Sequence, residues 1–174
     1  MDRLVPGVLV TLFLVLVLGA MFWAWRGRKR RQAAFGTAVE APPTAARGSE
    51  LRRASVLYVA TTVAGQPLER LTIPGLAFRG RGEMAVFEQG VSISIPGEVE
   101  TFIPREQLRS IGTSTWAIDR VVETGGLVRL DWTRQNTDGP ADVESYVRAI
   151  ELGDAARLIA AAESVIPQQE GTSS

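Results

Sequence analysis

Arg79-Gly80-Arg81-Gly82 is the stretch of this chain whose residue types come closest to reading a ligand. Two guanidiniums can fork onto the oxygens of a phosphate, and glycines let a backbone approach an anion closely. Arg70 is near enough in sequence to join them. The commoner use of these residue types is a solvated turn, and the phosphate-loop spacing GxxxxGK[ST] is absent. For hydrolysis, Ser92 or Ser94 would need a carboxylate, or Asp119 would have to pair with Glu123 on one helical face. The chain contains no histidine and no cysteine, which excludes thiol nucleophiles, histidine bases, disulfides and the usual Cys/His zinc sites. A serine or carboxylate pair without such support reads as solvated surface. Trp116 and Trp132 can stack on a ring, but large aromatics in alternating strands are usually core. The expectation is therefore no catalytic residue, no cofactor, no metal, and Arg70, Arg79 and Arg81 as candidate anion binders.

The elements that would carry these residues have the period of strands. Ser55 to Thr62 is dense in β-branched and aromatic residues. After a loop from Val63 to Pro74, the runs Gly75 to Arg79, Glu83 to Glu88 and Val91 to Ile95 suit a meander of antiparallel strands. Val91, Ile93 and Ile95 alternate with Ser92 and Ser94, which predicts one buried and one wet face. Pro96-Gly97 has the residues of a type II turn. Glu100 to Ile103 and Glu106 to Ile111 follow, and Trp116 to Glu123 reads as either a short strand or a helical turn. Beyond Gly125-Gly126, Val128, Leu130 and Trp132 point one way and Arg129, Asp131 and Thr133 the other. Asp138-Gly139 is the next turn and Val143 to Ile150 the last strand.

From Gly153-Asp154 the period becomes helical. Ala155, Leu158, Ile159, Ala162, Val165 and Ile166 form one apolar stripe, Asp154 has the side chain of an N-cap, and Pro167 ends the run. Such a stripe must lie on something, and the preceding sheet is the available surface.

Leu4 to Trp25 is a different kind of element: 22 residues without a charge, with Thr11 as the single hydroxyl. As a helix it would measure about 33 Å, enough to cross a hydrocarbon core of about 30 Å. Five basic residues, Arg26, Arg28, Lys29, Arg30 and Arg31, follow it within six positions, against Asp2 and Arg3 in front. Lys and Arg are retained on the cytoplasmic side, so the N-terminus is expected outside and the rest inside, at a cell membrane. Trp23 and Trp25 would lie at the headgroup boundary with that basic cluster, which anionic lipid would also attract. A cleaved signal peptide would carry its charge in front and a shorter apolar core.

These readings divide the chain into an anchor over 1–31, a flexible tether over 32–53 rich in Ala, Pro and Thr, a β-rich domain over 54–166, and a disordered tail over 167–174. A short helix continuing the anchor around Gln32 to Phe35 is the alternative for the tether's start. Net charge is zero overall, but residues 32–174 hold 13 Arg against 18 Asp and Glu, a net of −5. A domain of that sign has no general attraction for nucleic acid.

About seven short antiparallel strands and a C-terminal amphipathic helix resemble a pleckstrin-homology (PH) superfold, a bent, partly open barrel with the helix plugging one corner. With the anchor and its RGRKRR, the GLVRLDW of Gly126 to Trp132, and the final strand and helix from Val143 to Ile166, the chain resembles small actinobacterial single-pass membrane proteins whose cytoplasmic domain is PH-like. Members of that family are often labelled exporters or transporters. The resemblance implies architecture; the expected role is a membrane-tethered, non-enzymatic adaptor that presents its domain to an unidentified protein, with the lipid bilayer as its other partner. Lipid-binding PH domains carry a basic cluster on the first hairpin, a part open here to Arg70, Arg79 and Arg81, with an anionic headgroup as the ligand. An accessory role in export is the further expectation.

Overall fold

A computed structural model describes residues 4–33, 41–114, 116–117, 120–121, 126–136 and 139–167. The chain divides into two compact units, 1–34 and 35–174. The first is a single helix, α1 (Leu4–Ala33). Its helical backbone extends through the basic run to Ala33, and residues 34 and 35 of the alternative helix lie outside the described residues. Thr11 donates its hydroxyl proton to the Gly7 carbonyl at 2.9 Å, so the one polar side chain of the apolar run is satisfied by its own backbone. The window Gly7–Ala24 has a mean hydropathy of 2.5 and is long and apolar enough to cross a membrane. Trp23 and Arg26 are exposed, whereas the side chains of Trp25, Arg28, Lys29, Arg30 and Arg31 lie outside the described ones.

The second unit is an antiparallel sheet organised by one long strand, β1 (Glu50–Val63). The others are β2 (Gln66–Arg70), β3 (Gly80–Phe87), β4 (Gly90–Ser94), β5 (Thr101–Pro104), β6 (Leu108–Ser114), β7 (Trp116–Ala117), β8 (Arg120–Val121), β9 (Leu127–Asn136) and β10 (Gly139–Ala149). Among the described residues the main sheet has the order β5-β4-β3-β1-β10-β9-β6, with β2 added beside β1, and β7-β8 make a separate two-stranded pair. The first half of β1 pairs with β3 and its second half with β10, and the register shifts between Tyr58 and Ala60. A bulge at that crossing increases local twist and lets one strand serve both wings of a bent sheet.

The concave side is filled by Val56, Met84, Val86, Ile93, Ile103, Val128, Leu130, Trp132 and Val147, all nearly inaccessible to solvent. The helix α2 (Asp154–Glu163) lays Leu158 and Ala162 on this core, followed by Val165. The apolar alternation of β9 is as its sequence predicts. Pro96 and Gly97 form the expected turn, with Gly97 at φ +87 and Glu98 N–H donating to the Ile95 carbonyl at 3.0 Å. The fold is thus an N-terminal apolar helix followed by an open antiparallel barrel and a C-terminal helix, consistent with a PH-like architecture.

Several sequence expectations are corrected. Gly75 to Arg79 is not a strand; the extra strand is β2, inside the stretch read as a loop. Leu71, Ile73 and Leu76 in the following loop are buried and close the barrel. Glu106 and Gln107 belong to a 3₁₀ turn, so β6 begins at Leu108. Asp154 does not cap α2. Gly153 occupies the cap position, and Asp154, the first helical residue, receives an ion pair from Arg52 on β1 at 2.5 Å. A short carboxylate buried at a helix start is held there by a fixed cation and the positive end of the helix rather than by capping. Residues 47–53, read as tether, belong to the folded unit: β1 begins at Glu50 and Arg47 is buried. Tether residues 34–40, Asp119, Glu123, Gly125, Asp138 and the tail 168–174 lie outside the described residues.

Candidate functional site

The three candidate arginines lie at the rim where β2 ends and β3 begins. β2 reaches β1 at Thr62, opposite Arg70, while β3 meets β1 at Tyr58, opposite Gly80. Both strands therefore pair with β1, β3 along Glu50–Tyr58 and β2 at Thr62 and Val63, on either side of its bulge. The loop between them is fixed from below by a buried hydrogen-bond chain. Tyr58 donates to the Leu76 carbonyl at 2.9 Å and stands 3.0 Å from the Thr61 hydroxyl. Thr61 is 2.7 Å from the Ser145 hydroxyl, which accepts the Trp132 indole proton at 2.9 Å. Burial pushes the Tyr58 phenol up to about 12, so it stays a neutral donor at physiological pH. Four polar side chains are thus satisfied inside an apolar core, and Leu76 is locked to two strands.

What that loop carries outward is both apolar and basic. Phe78 is 68% exposed and Leu68, on β2, is 79% exposed. Arg70 donates to the Ala77 carbonyl at 3.2 Å, which draws its side chain toward Phe78. Arg79 and Arg81 are exposed, and among the described residues neither is ion-paired. Glu83, the nearest acid on the same strand, is taken by Arg53 at 2.7 Å, and Arg53 also holds Glu50. The two glycines between the arginines have another reason. A Cβ on Gly82 would stand 2.1 Å from the Ser94 carbonyl oxygen, and one on Gly80 would stand 3.2 Å from the Ile95 side chain. They allow β3 and β4 to approach at the bend, and they do not form a backbone cradle for an anion. The structure thus keeps the arginines at one rim, as side chains on a strand and its lead-in.

The catalytic alternatives fare differently. Ser92 is buried, against the expectation of a wet face. Trp132 is core, and the side chain of Trp116 lies outside the described ones. A small cavity between Pro74, Phe102, Trp132 and Arg134 has a volume of about 20 Å³, room for about one water and not for a metabolite.

Over residues 36–163 the chain matches the family described as Bacterial PH domain-like. The chain belongs to that family. No curated protein matches it. A PH-like domain points to a binding or scaffold module, and among the described residues of this bacterial PH-like domain the rim combines an exposed aromatic with two arginines that have no ion-pair partner.

Sequence reasoning missed Leu68 and Phe78, because an exposed apolar residue in a strand-rich stretch cannot be told from a core one without the fold. It also missed Arg47. That guanidinium makes a bidentate pair with Glu100 at 2.6 and 2.8 Å, donates through Nε to the Pro42 carbonyl at 2.9 Å, and lies over the rings of Phe87 and Phe102. The Arg47 hydrogen bonds hold the Glu100 carboxyl below its usual range.

Proposed function

We propose that this protein is a single-pass, membrane-anchored, non-enzymatic adaptor whose PH-like domain lies in the cytoplasm and presents its β2–β3 rim to a protein partner. The observation that carries this reading is the exposure of Phe78 and Leu68, with Arg70, Arg79 and Arg81, along β2, the β2–β3 loop and the start of β3, where Tyr58 ties the loop to the core. Aromatic and arginine side chains on a pre-organised support are what interface hot spots are made of. Anchoring raises the local concentration of the domain near any membrane-associated partner, so a modest intrinsic affinity suffices. The orientation rests on the basic run after the apolar helix. Crosslinking from membranes holding the full-length protein should recover one dominant protein partner, lost on Phe78→Ser with Leu68→Ser. Recovery of background alone, or of the same partner by the double variant, contradicts the reading.

The lack of described ion pairs at Arg79 and Arg81 favours a second reading, recognition of an anionic headgroup or ligand. It is separated from the first by flotation of the chain from residue 41 onward with anionic and neutral vesicles. Binding to anionic vesicles that Arg79→Ala with Arg81→Ala abolishes supports the headgroup; no binding leaves the protein partner. A place in export would run through docking on a transporter, since a lone helix whose one hydroxyl bonds its own backbone lines no polar path.

A further inference from the structure

The sheet has a second surface, at the other end of β3 from the rim, that is already occupied. On the convex side of β3, β4 and β5, Ala85, Phe87 and Phe102 form a small apolar cluster apart from the main core, and Ala41 packs on it. The phenyl rings lie 6.4 Å apart at 51°, leaving a notch. Arg47 fills it, 5.7 Å from one ring centroid and 5.4 Å from the other, with its outer nitrogens on Glu100. Ahead of it in the chain, Pro42-Pro43 and the single 3₁₀ turn Thr44–Ala46 run over the same face. The backbone is tied at the far end, where Gln89 N–H donates to the Arg47 carbonyl at 3.0 Å and Glu88 N–H to the Ser49 carbonyl at 3.1 Å. Between these, Gly48 has φ +75, and a Cβ there would stand 2.6 Å from Glu88 Oε2. The positive φ turns the chain sharply from this segment into β1.

Everything about this contact has the form of a peptide bound in a groove. The occupant is a proline-bearing turn, one arginine supplies its side-chain polar contacts while Glu88 and Gln89 hold its backbone end, and its apolar contact is Ala41. The groove supplies a carboxylate and two rings, which suits an arginine in particular: a planar guanidinium can stack and fork at once, and a lysine cannot.

We propose that residues 41–49 are a releasable strap, an internal ligand lying in an arginine-reading groove, and that once displaced the groove accepts an arginine- and proline-bearing segment of another protein. The strap is joined to the domain through Gly48, so it competes at an effective concentration set by a very short tether, on the order of millimolar or above. A free peptide of the same sequence is therefore excluded from the intact protein. The lowered Glu100 carboxyl agrees with an ion pair formed at neutral pH. This surface is independent of Phe78 and the β2–β3 rim, so the two proposals fail separately.

The test uses full-length protein in detergent micelles and a fluorescent peptide of residues 41–49, read by anisotropy. The wild type should not bind. Arg47→Ala, whose strap has lost its hold, should bind the native peptide at least about tenfold more tightly than the wild type, and a peptide carrying Arg47→Ala should not bind. Glu100→Arg keeps the proposal testable if Arg47→Ala does not fold. Its groove should refuse the native peptide and take one carrying Arg47→Glu. Failure of folded Arg47→Ala protein to bind the native peptide overturns the proposal. So does equal binding to wild type and variant, or indifference of the Glu100→Arg protein to the peptide's charge.

Discussion

The apolar side chains of α1 and those of the β domain are the same residue types in opposite situations. From Val8 to Trp23 the large apolar residues of α1 are 40–80% exposed, whereas those of the domain's main cluster are at most 9% exposed. In the domain, leucine and valine are removed from water by other side chains, each contributing roughly 1.5–3 kcal/mol when fully buried. Among the described residues the apolar side chains of α1 stay exposed, a longer run than soluble proteins ordinarily show. The difference marks α1 as a helix long and apolar enough to cross a bilayer. It also picks out the places where the domain behaves like the helix, of which Leu68 and Phe78 are two.

That contrast can be broken or sharpened in order of expected size. Leu158→Ala empties a fully buried position under α2 and should lower domain stability by about 3–4 kcal/mol in urea titration while leaving membrane partitioning unchanged. The reverse holds for Leu14→Arg, which adds about 3 kcal/mol to the cost of insertion near the helix centre. It should shift full-length protein out of the membrane fraction without moving the domain's melting transition. Arg47→Ala removes the strap's bidentate pair and its ring contacts and should cost about 2 kcal/mol. Tyr58→Phe leaves the Leu76 carbonyl without its buried donor, for about 1 kcal/mol, with faster hydrogen exchange in residues 71–79 as the local sign. Phe78→Ser should be within about 0.5 kcal/mol of wild type, since it removes no buried contact.

Acid acts on the strap in a defined direction. Because Arg47 lowers the pKa of Glu100 in the folded protein, the pair's stabilisation is complete above the ordinary value of 4.5 and is lost as pH falls through the lowered one. The stability difference between wild type and Glu100→Gln, followed by urea titration, should hold steady from neutral pH down to that point and then narrow. A difference that widens on acidification contradicts the assignment.

The elements whose neighbours in sequence are also their neighbours in burial were legible. The stripe Leu158, Ala162 and Val165 and the alternation Val128, Leu130 and Trp132 each declare a face by period alone. β2 was not, because Pro67, Glu69 and Arg70 are poor strand formers and the segment is a strand only by pairing with β1. The burial of Ser92 was hidden for a related reason: its face is covered by a segment that precedes it by more than 40 residues. Ala, Pro and Thr read as tether because nothing local distinguishes a free linker from a strap, and Arg47 is buried only because Glu100, Phe87 and Phe102 converge on it from strands distant in sequence. At the rim, the arginines were visible as residue types, whereas the exposure of Phe78 beside them is a property of the fold.

The most direct test of the whole account is the side of the membrane on which the domain lies. A pair of reporters, one active only in the cytoplasm and one only outside it, would be fused in turn after residue 174 of the full-length chain. The account predicts activity from the cytoplasmic reporter alone, lost from the membrane fraction when Leu14 is replaced by Arg. Activity from the external reporter alone would contradict it.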